Sequence, residues 1–335
     1  MRKLIIGVLA TLFTLLCVSA VGLYWVYQSV VSYSQTPLKL QQPMEFEVAR
    51  GTSFSQMALA LEQTGAIDEL WKLKVLVKLH PELAKIRSGL YQITPNESII
   101  ELLEKLNQGR GMVFSVTLIE GQSIKEWRAL LKQLPRIQWQ EEPFLRVLRN
   151  NGDESNLPEG KFYPDTYHYG AGDSVLVILQ QSYQKMQQEL DKAWQQRDKS
   201  IPLKSPYELL IMASIIEKET GKASERPWIS AVFTNRLRKG MRLQTDPTVI
   251  YGMGDRYQGN ITRKDLREQT PFNTYRINGL TPTPIAAPST ASLMAAAQPA
   301  DVDYLYFVSK NDGSHIFSKT LNEHNRAVDK YQRNR

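Results

Sequence analysis

Residues Leu4 to Val26 form a run of 23 residues without a charge. Such a run cannot lie on the surface of a water-soluble body. Coiled as an α-helix at 1.5 Å per residue it reaches roughly 34 Å, enough to cross a bilayer core of ~30 Å. Arg2 and Lys3 precede it, and Tyr24, Trp25 and Tyr27 stand at its far end. Basic residues before the run and an aromatic belt after it predict an N-terminus in the cytoplasm and the rest of the chain outside. The expectation is a cytoplasmic tip over residues 1–3 and a single-pass anchor in the cell inner (cytoplasmic) membrane over 4–26. A periplasmic or extracytoplasmic body follows. A cleaved signal peptide is the alternative, because Val18-Ser19-Ala20 is a passable cleavage site, although the apolar run continues past it.

The remainder is ordinary globular sequence. Of 335 residues 42% are hydrophobic and 22% charged, so neither disorder nor a fibrous repeat is expected. The length allows two modest domains. Cys17 is the one cysteine, which excludes an intramolecular disulfide and a Cys-based zinc site. His80, His168, His315 and His324 are scattered and form no H-E-x-x-H pair, so no metal site is expected. The net charge of +7 is mild, and no Lys/Arg-rich run suggests a nucleic-acid partner. Outside the cytoplasm ATP is a poor substrate candidate.

One unit recurs in the first half. Phe46-x-Val48 precedes Gly51-Thr52-Ser53-Phe54, Tyr91-x-Ile93 precedes Asn96-Glu97-Ser98-Ile99, and Phe114-x-Val116 precedes Gly121-Gln122-Ser123-Ile124. Each reads as an alternating strand, a turn and a helix opened by serine. Gln56, Glu101 and Glu126 stand three residues after their serines, the spacing of a capping box. A further helix is expected from about Asp68 to His80, ended by Pro81. Residues 44–94 thus read strand, helix, helix, strand. That order resembles a LysM-like module, a small glycan-binding fold, and predicts such a module over 44–110. A spacer without a ligand is the alternative reading.

The second domain is expected over 111–335. The segment from Leu157 to Tyr167 is aromatic and turn-rich, and reads either as the wall of a sugar groove or as a loop packed on the core. A long helix is expected from about Ser174 to Arg197. Another opens at Ser205-Pro206, with Glu208 in capping-box position. Its run Leu209 to Ile216 is apolar around almost the whole axis, so this helix should be buried. Glu217 ends the run with Ala213 and Leu210 one and two turns behind it. Poor solvation and the negative end of the helix dipole would both favour the protonated acid there. That is the state a general acid requires. The local pattern leaves Glu217 open between a catalytic acid and a buried structural ion pair. Glu219 is turned about 200° around the axis and reads as a structural or solvated glutamate. Asp301-x-Asp303 reads as a turn. His315 and Phe317 read as a strand returning across Asn311-Asp312-Gly313, and Thr320 with Glu323 as the cap of a last helix.

Ala213-Ser214-Ile215-Ile216-Glu217-Lys218-Glu219-Thr220 resembles the catalytic helix of the YceG-like family, the endolytic murein transglycosylases. Val232 to Leu237, Met241 to Gly252, Asn273-Thr274-Tyr275, Tyr304 to Val308 and Glu323-His324-Asn325 also match that family's motifs. The resemblance runs over roughly residues 40–335. The chain departs from the family at Thr281-Pro282-Thr283-Pro284 and at Ser289. The fold expected is α+β: one N-terminal transmembrane helix, the βααβ module, then a mixed α+β catalytic domain.

The resemblance implies cleavage of the β-1,4 bond between N-acetylmuramic acid and N-acetylglucosamine within peptidoglycan glycan strands. The sugar's own C6 hydroxyl attacks, leaving a 1,6-anhydro end and terminating glycan elongation. Glu217 would protonate the leaving oxygen and then accept the C6 proton. One carboxyl group then suffices, where an ordinary glycosidase uses two. Neither metal nor organic cofactor is implied, and peptidoglycan synthases would be neighbouring partners. Gln244, Thr245, Asp246, Tyr251, Asn273 and Tyr275 would line the groove, with hydrogen-bonded scaffolding as the alternative for each. Two other readings remain: a two-carboxylate hydrolase pairing Glu217 with Glu219, Glu225 or Asp246, and a non-enzymatic glycan-binding scaffold.

Overall fold

The structure is a computed structural model that describes residues 2–333, with the backbone alone for Arg2 and Lys3. The tip expected over 1–3 therefore falls outside the described side chains. Helix α1 covers Arg2–Ser34, and its residues from Leu4 to Tyr27 are exposed apolar surface. Among the described residues it is the one helix long and apolar enough to cross a membrane. The chain then divides into two compact units. One runs to Phe114 and takes in Gly170–Asp173; the other comprises Ser115–Tyr169 and the chain from Ser174 onward.

In the first unit β1 (Met44–Val48) and β2 (Gly89–Ile93) form an antiparallel pair with Phe46 opposite Tyr91. Between them lie α2 (Phe54–Gln63) and α3 (Leu70–Leu79), and α4 (Ile99–Gln108) follows. The order strand, helix, helix, strand is as the sequence predicts. Ser53 and Ser98 form complete capping boxes with Gln56 and Glu101. Each satisfies two backbone N–H groups that the first helical turn leaves unpaired. Pro81 does not merely stop α3; it opens a short 3₁₀ turn, Pro81–Ala84. Met57, Leu61, Leu73, Leu76, Tyr91 and Leu102 build the core. Val30 and Tyr33 of the last α1 turns are buried in it, and the Tyr33 hydroxyl donates to the carbonyl of Asp68.

The second unit is mostly helical. β3 (Val113–Thr117) pairs with β4 (Thr166–Gly170), and β5 (Tyr306–Ser309) forms an antiparallel hairpin with β6 (His315–Ser318). Among the described residues no sheet has more than two strands, so helices supply most of the core. They are α5 (Ile124–Lys132), α6 (Pro143–Asn150), α7 (Val175–Gln195), α8 (Pro206–Glu219), α9 (Arg226–Arg238), α10 (Asp246–Met253), α11 (Thr290–Ala297) and α12 (Leu321–Val328).

Helix α8 is the centre. Leu209 to Ile216 are all buried, packed by α7, α9, α10 and α11. Its all-round apolar surface leaves no face for water. Ser205 caps it by accepting from the Glu208 amide, but the reciprocal bond goes elsewhere: Glu208 accepts from the Lys204 amide, at 2.6 Å. The reason is backbone direction. Ser205 has φ of −149°, against −75° to −88° at the three serines with complete boxes, so its own N–H is turned away. The aromatic segment divides between its two readings. Phe162 and Tyr167 are buried, Phe162 edge-on to Phe144 at 5.0 Å, while Leu157, Pro158 and Glu159 line a cavity.

Candidate active site

The two glutamates at the end of α8 point into different surroundings, as a step of two residues on a helix requires. Glu217 does not reach the cleft that most of the expected groove residues line. One of its carboxylate oxygens accepts from the Ser289 amide at 2.8 Å and the Ser289 hydroxyl at 2.6 Å. The other lies 3.4 Å from the Arg226 guanidinium. Ser289 is the N-cap of α11, so the carboxylate sits at the positive end of that helix. The surroundings expected from Ala213 and Leu210 were apolar. Donors from Ser289 and Arg226, which helical periodicity cannot see, make them polar instead. This is the arrangement of the ion-pair reading of Glu217.

Glu219 faces a polar cleft of about 460 Å³, together with Gln244, Thr245, Asp246 and Tyr275. The Thr245 hydroxyl donates to one carboxyl oxygen of Glu219. The other oxygen has no hydrogen-bond partner among the described residues. Burial pushes the Glu219 carboxyl up from 4.5 to about 7; the Thr245 bond opposes the rise and the Asp246 charge adds to it. Glu219 therefore has the property expected of Glu217: an acid that still holds its proton near neutral pH.

Thr245 is held by a buried threonine cluster. Its amide donates to Thr274 Oγ1 at 3.0 Å, and the Thr248 hydroxyl donates to its carbonyl at 2.7 Å. Gln244 before it has φ of +54°, a left-handed backbone that few non-glycine residues adopt. Such strain persists only where the surroundings over-determine it. Here the Gln244 amide donates to the Thr274 carbonyl and its side-chain oxygen accepts from Arg236. Arg236 is buried, bonds the carbonyls of Leu243 and Leu305, and lies 5.1 Å over the Tyr306 ring. Arg236 lies in the Val232 to Leu237 stretch, where the sequence pattern alone assigns it no role.

Asp246 opens α10 and accepts from the Tyr275 hydroxyl at 2.7 Å. Burial, with that bond and the Asp246 charge, raises the phenol of Tyr275 well above its ordinary value, so it stays a donor. The remaining two expected groove residues lie elsewhere. Asn273 is buried and spends its side chain on the carbonyls of Asp265, Leu266 and Glu268 and on the Tyr275 amide. These bonds tie the 265–275 loop together. Tyr251 faces a second cavity of about 490 Å³, with its ring against Phe272 at 4.9 Å. Its hydroxyl donates to Glu159, which also accepts from the first amide of α5. Burial raises the Glu159 carboxyl to about 7 despite those donors.

Among the described residues no three His, Cys, Asp or Glu side chains come together as a metal site. The cleft offers a carboxyl group able to transfer a proton, with amide, hydroxyl and carboxylate groups arranged around it.

This arrangement is built from segments shared with other proteins. Residues 46–330 match the model of the YceG-like family. The endolytic murein transglycosylase of Bacillus subtilis (strain 168) is 31% identical over 307 residues, covering 86% of this chain and 84% of that protein. The endolytic murein transglycosylase of Streptococcus pneumoniae serotype 2 is 23% identical over 352 residues; the match covers 93% of this chain and 63% of that protein. Among solved structures, a yceG-like protein from Listeria monocytogenes is 29% identical with a TM-score of 0.53, over 86% of this chain and all of that one. With the match taking in α8, the Thr245 turn and the β5–β6 hairpin alike, the chain belongs to the YceG-like family.

Proposed function

We propose that this chain is a lytic transglycosylase of peptidoglycan and that Glu219 is its acid. The observation that carries the assignment is the place of the Glu219 carboxyl at the wall of the polar cleft, where burial raises it to about 7. One oxygen is held by Thr245 and the other is unpartnered among the described residues. Two curated relatives carry the name endolytic murein transglycosylase, which supports the substrate class.

The step proceeds with no external reactant. Glu219 donates its proton to the oxygen of the MurNAc–GlcNAc β-1,4 bond, and the C1–O bond breaks. The C6 hydroxyl oxygen of the same MurNAc closes on C1, and its proton passes to the Glu219 carboxylate. Acid and base are then one group, restored after each turnover. The attacking hydroxyl is already tethered, which supplies an entropic advantage. Gln244, Asp246 and Tyr275 would hold hydroxyl and acetamido groups. Glu217 would act as a structural partner of Ser289 and Arg226.

Anchoring by α1 would place the body at the outer face of the membrane, where strands are polymerised and synthases would be neighbours. Its length and apolar surface support the anchor, and the basic residues before it support the orientation. The βααβ order of the first unit supports a LysM-like, glycan-holding role for it. A second reading, a two-carboxylate hydrolase, draws on Asp246 in the same cleft. Digestion of peptidoglycan in H₂¹⁸O separates the two. The proposal expects 1,6-anhydro ends free of ¹⁸O; ¹⁸O-labelled reducing ends would establish the hydrolase. Absence of any product, with glycan binding intact, would leave the scaffold.

A further inference from the structure

The lining of the cleft includes side chains that the mechanism above does not use. Strand β6 begins at His315, which lines the cleft and whose side chain is 11% exposed. Its Nδ1 lies 2.7 Å from Oε2 of Glu225, and its backbone amide donates to Oε1 at 3.2 Å. Glu225 is itself buried, between α8 and α9 in the chain, and is also paired with Lys222 at 3.3 Å. Burial opposes its ionisation, but the bonds from His315 and Lys222 outweigh it and hold the carboxyl below its ordinary range. An ionised carboxylate only accepts, so the proton of the bond belongs to Nδ1. The ring is held edge-on by Phe307 at 5.4 Å and by Phe317 at 6.4 Å. In the neutral ring Nε2 then carries the lone pair. It has no partner among the described residues and is not among their fully buried unpaired atoms.

A buried carboxylate that fixes tautomer and ring orientation costs desolvation. Packing alone does not require it, since an aromatic ring would fill the same space. We infer that His315, oriented by Glu225, is a substrate-positioning residue whose Nε2 accepts a hydrogen bond from a hydroxyl or acetamido N–H of the glycan in the Glu219 cleft. The inference rests on the proposed function and adds a contact from the β5–β6 hairpin, far in the chain from the threonine cluster. In the neutral ring the carboxylate dictates which nitrogen is bare, so the pair separates acceptor from donor.

The test uses the full chain in membrane-mimetic discs, with peptidoglycan strands as substrate and anhydro ends as readout. His315→Asn keeps an amide for Glu225 but deletes the group at Nε2, while His315→Gln can restore an acceptor there. Glu225→Gln presents an amide donor to Nδ1, which drives the proton onto Nε2 and turns the acceptor into a donor. Losing a hydrogen bond to a buried partner should lower kcat/KM roughly ten- to hundred-fold in His315→Asn and Glu225→Gln, chiefly through KM. Partial recovery is expected in His315→Gln. Equal loss in the Asn and Gln variants together with lower melting temperatures would make His315 structural and overturn the inference. So would kcat/KM of His315→Asn within two-fold of wild type. If the wild-type protein itself forms no anhydro ends, the proposed function fails instead. The His315 inference then falls with it, unless glycan affinity alone still drops in His315→Asn.

Discussion

Thr245→Val removes the one hydroxyl bonded to Glu219 and keeps nearly the same volume. The backbone of residue 245 would stay in place, because its amide and carbonyl are held by Thr274 and Thr248. The sign follows from what the hydroxyl does. It stabilises the ionised carboxylate, against burial and the Asp246 charge, which both favour the proton. Without it the carboxyl should rise further above about 7. The bond is also made, more weakly, to the protonated acid, so the difference is about 1 kcal/mol, or about 0.7 pH unit. A general acid works only while protonated, so the alkaline limb of the pH–rate profile should move up by that amount. Asp246→Asn provides the opposite sign. Removing the charge that raises Glu219 should move the same limb down, and the amide oxygen of Asn can still accept from Tyr275. The assay is the initial rate of anhydro-end formation from pH 5 to 9. Limbs that both stay still, or both move the same way, would refute the assignment of that limb to Glu219.

Stability carries a related signature. The Glu159 carboxyl is at about 7 in the folded chain and near 4.5 when unfolded. Between those values the folded state binds more protons, so stability falls as pH rises through that window, by up to about 3 kcal/mol. Glu219 contributes with the same sign. Melting temperature should therefore drop between pH 5 and 8, and Glu159→Gln should remove about half of that drop; an unchanged slope would contradict it. Gly160→Ala should be severe. Gly160 has φ of +75°, and an added Cβ would lie 2.5 Å from Pro284 Cβ and 2.7 Å from its Cγ, in a ring that cannot swing aside. A loss of about 2 kcal/mol or more is expected in denaturant unfolding, and a wild-type midpoint would contradict it.

What could be read from the sequence was what is local. Ser53, Ser98, Ser123 and Thr320 announce their helices through partners three residues away, and all four boxes form. The burial of Leu209 to Ile216 needs no partner to be known, because that run is apolar almost all round the axis. The choice between Glu217 and Glu219 was of another kind. Periodicity shows that they face apart but not which side holds the cleft. The groups that set their different surroundings come from afar in the chain: Ser289 and Arg226 for Glu217, Thr245 for Glu219. The apolar neighbours one turn back described only the helix's own surface. Asn273 and Tyr251 show the same limit. Both stand in family motifs, yet one ties a loop and the other bonds Glu159 beside a second cavity. Arg236 and His315 stayed hidden because their meaning lies in contacts that no single segment contains.

The most direct test compares the digestion products of wild-type protein, Glu219→Gln and Glu217→Gln by mass spectrometry of purified peptidoglycan. Wild type should yield 1,6-anhydro ends and Glu219→Gln none, with its fold intact by circular dichroism. Glu217→Gln should still cleave wherever it folds, since Gln can keep the bonds from Ser289. A silent Glu217→Gln of wild-type stability beside an active Glu219→Gln would contradict the role of Glu219 and return the acid to the other face of the helix.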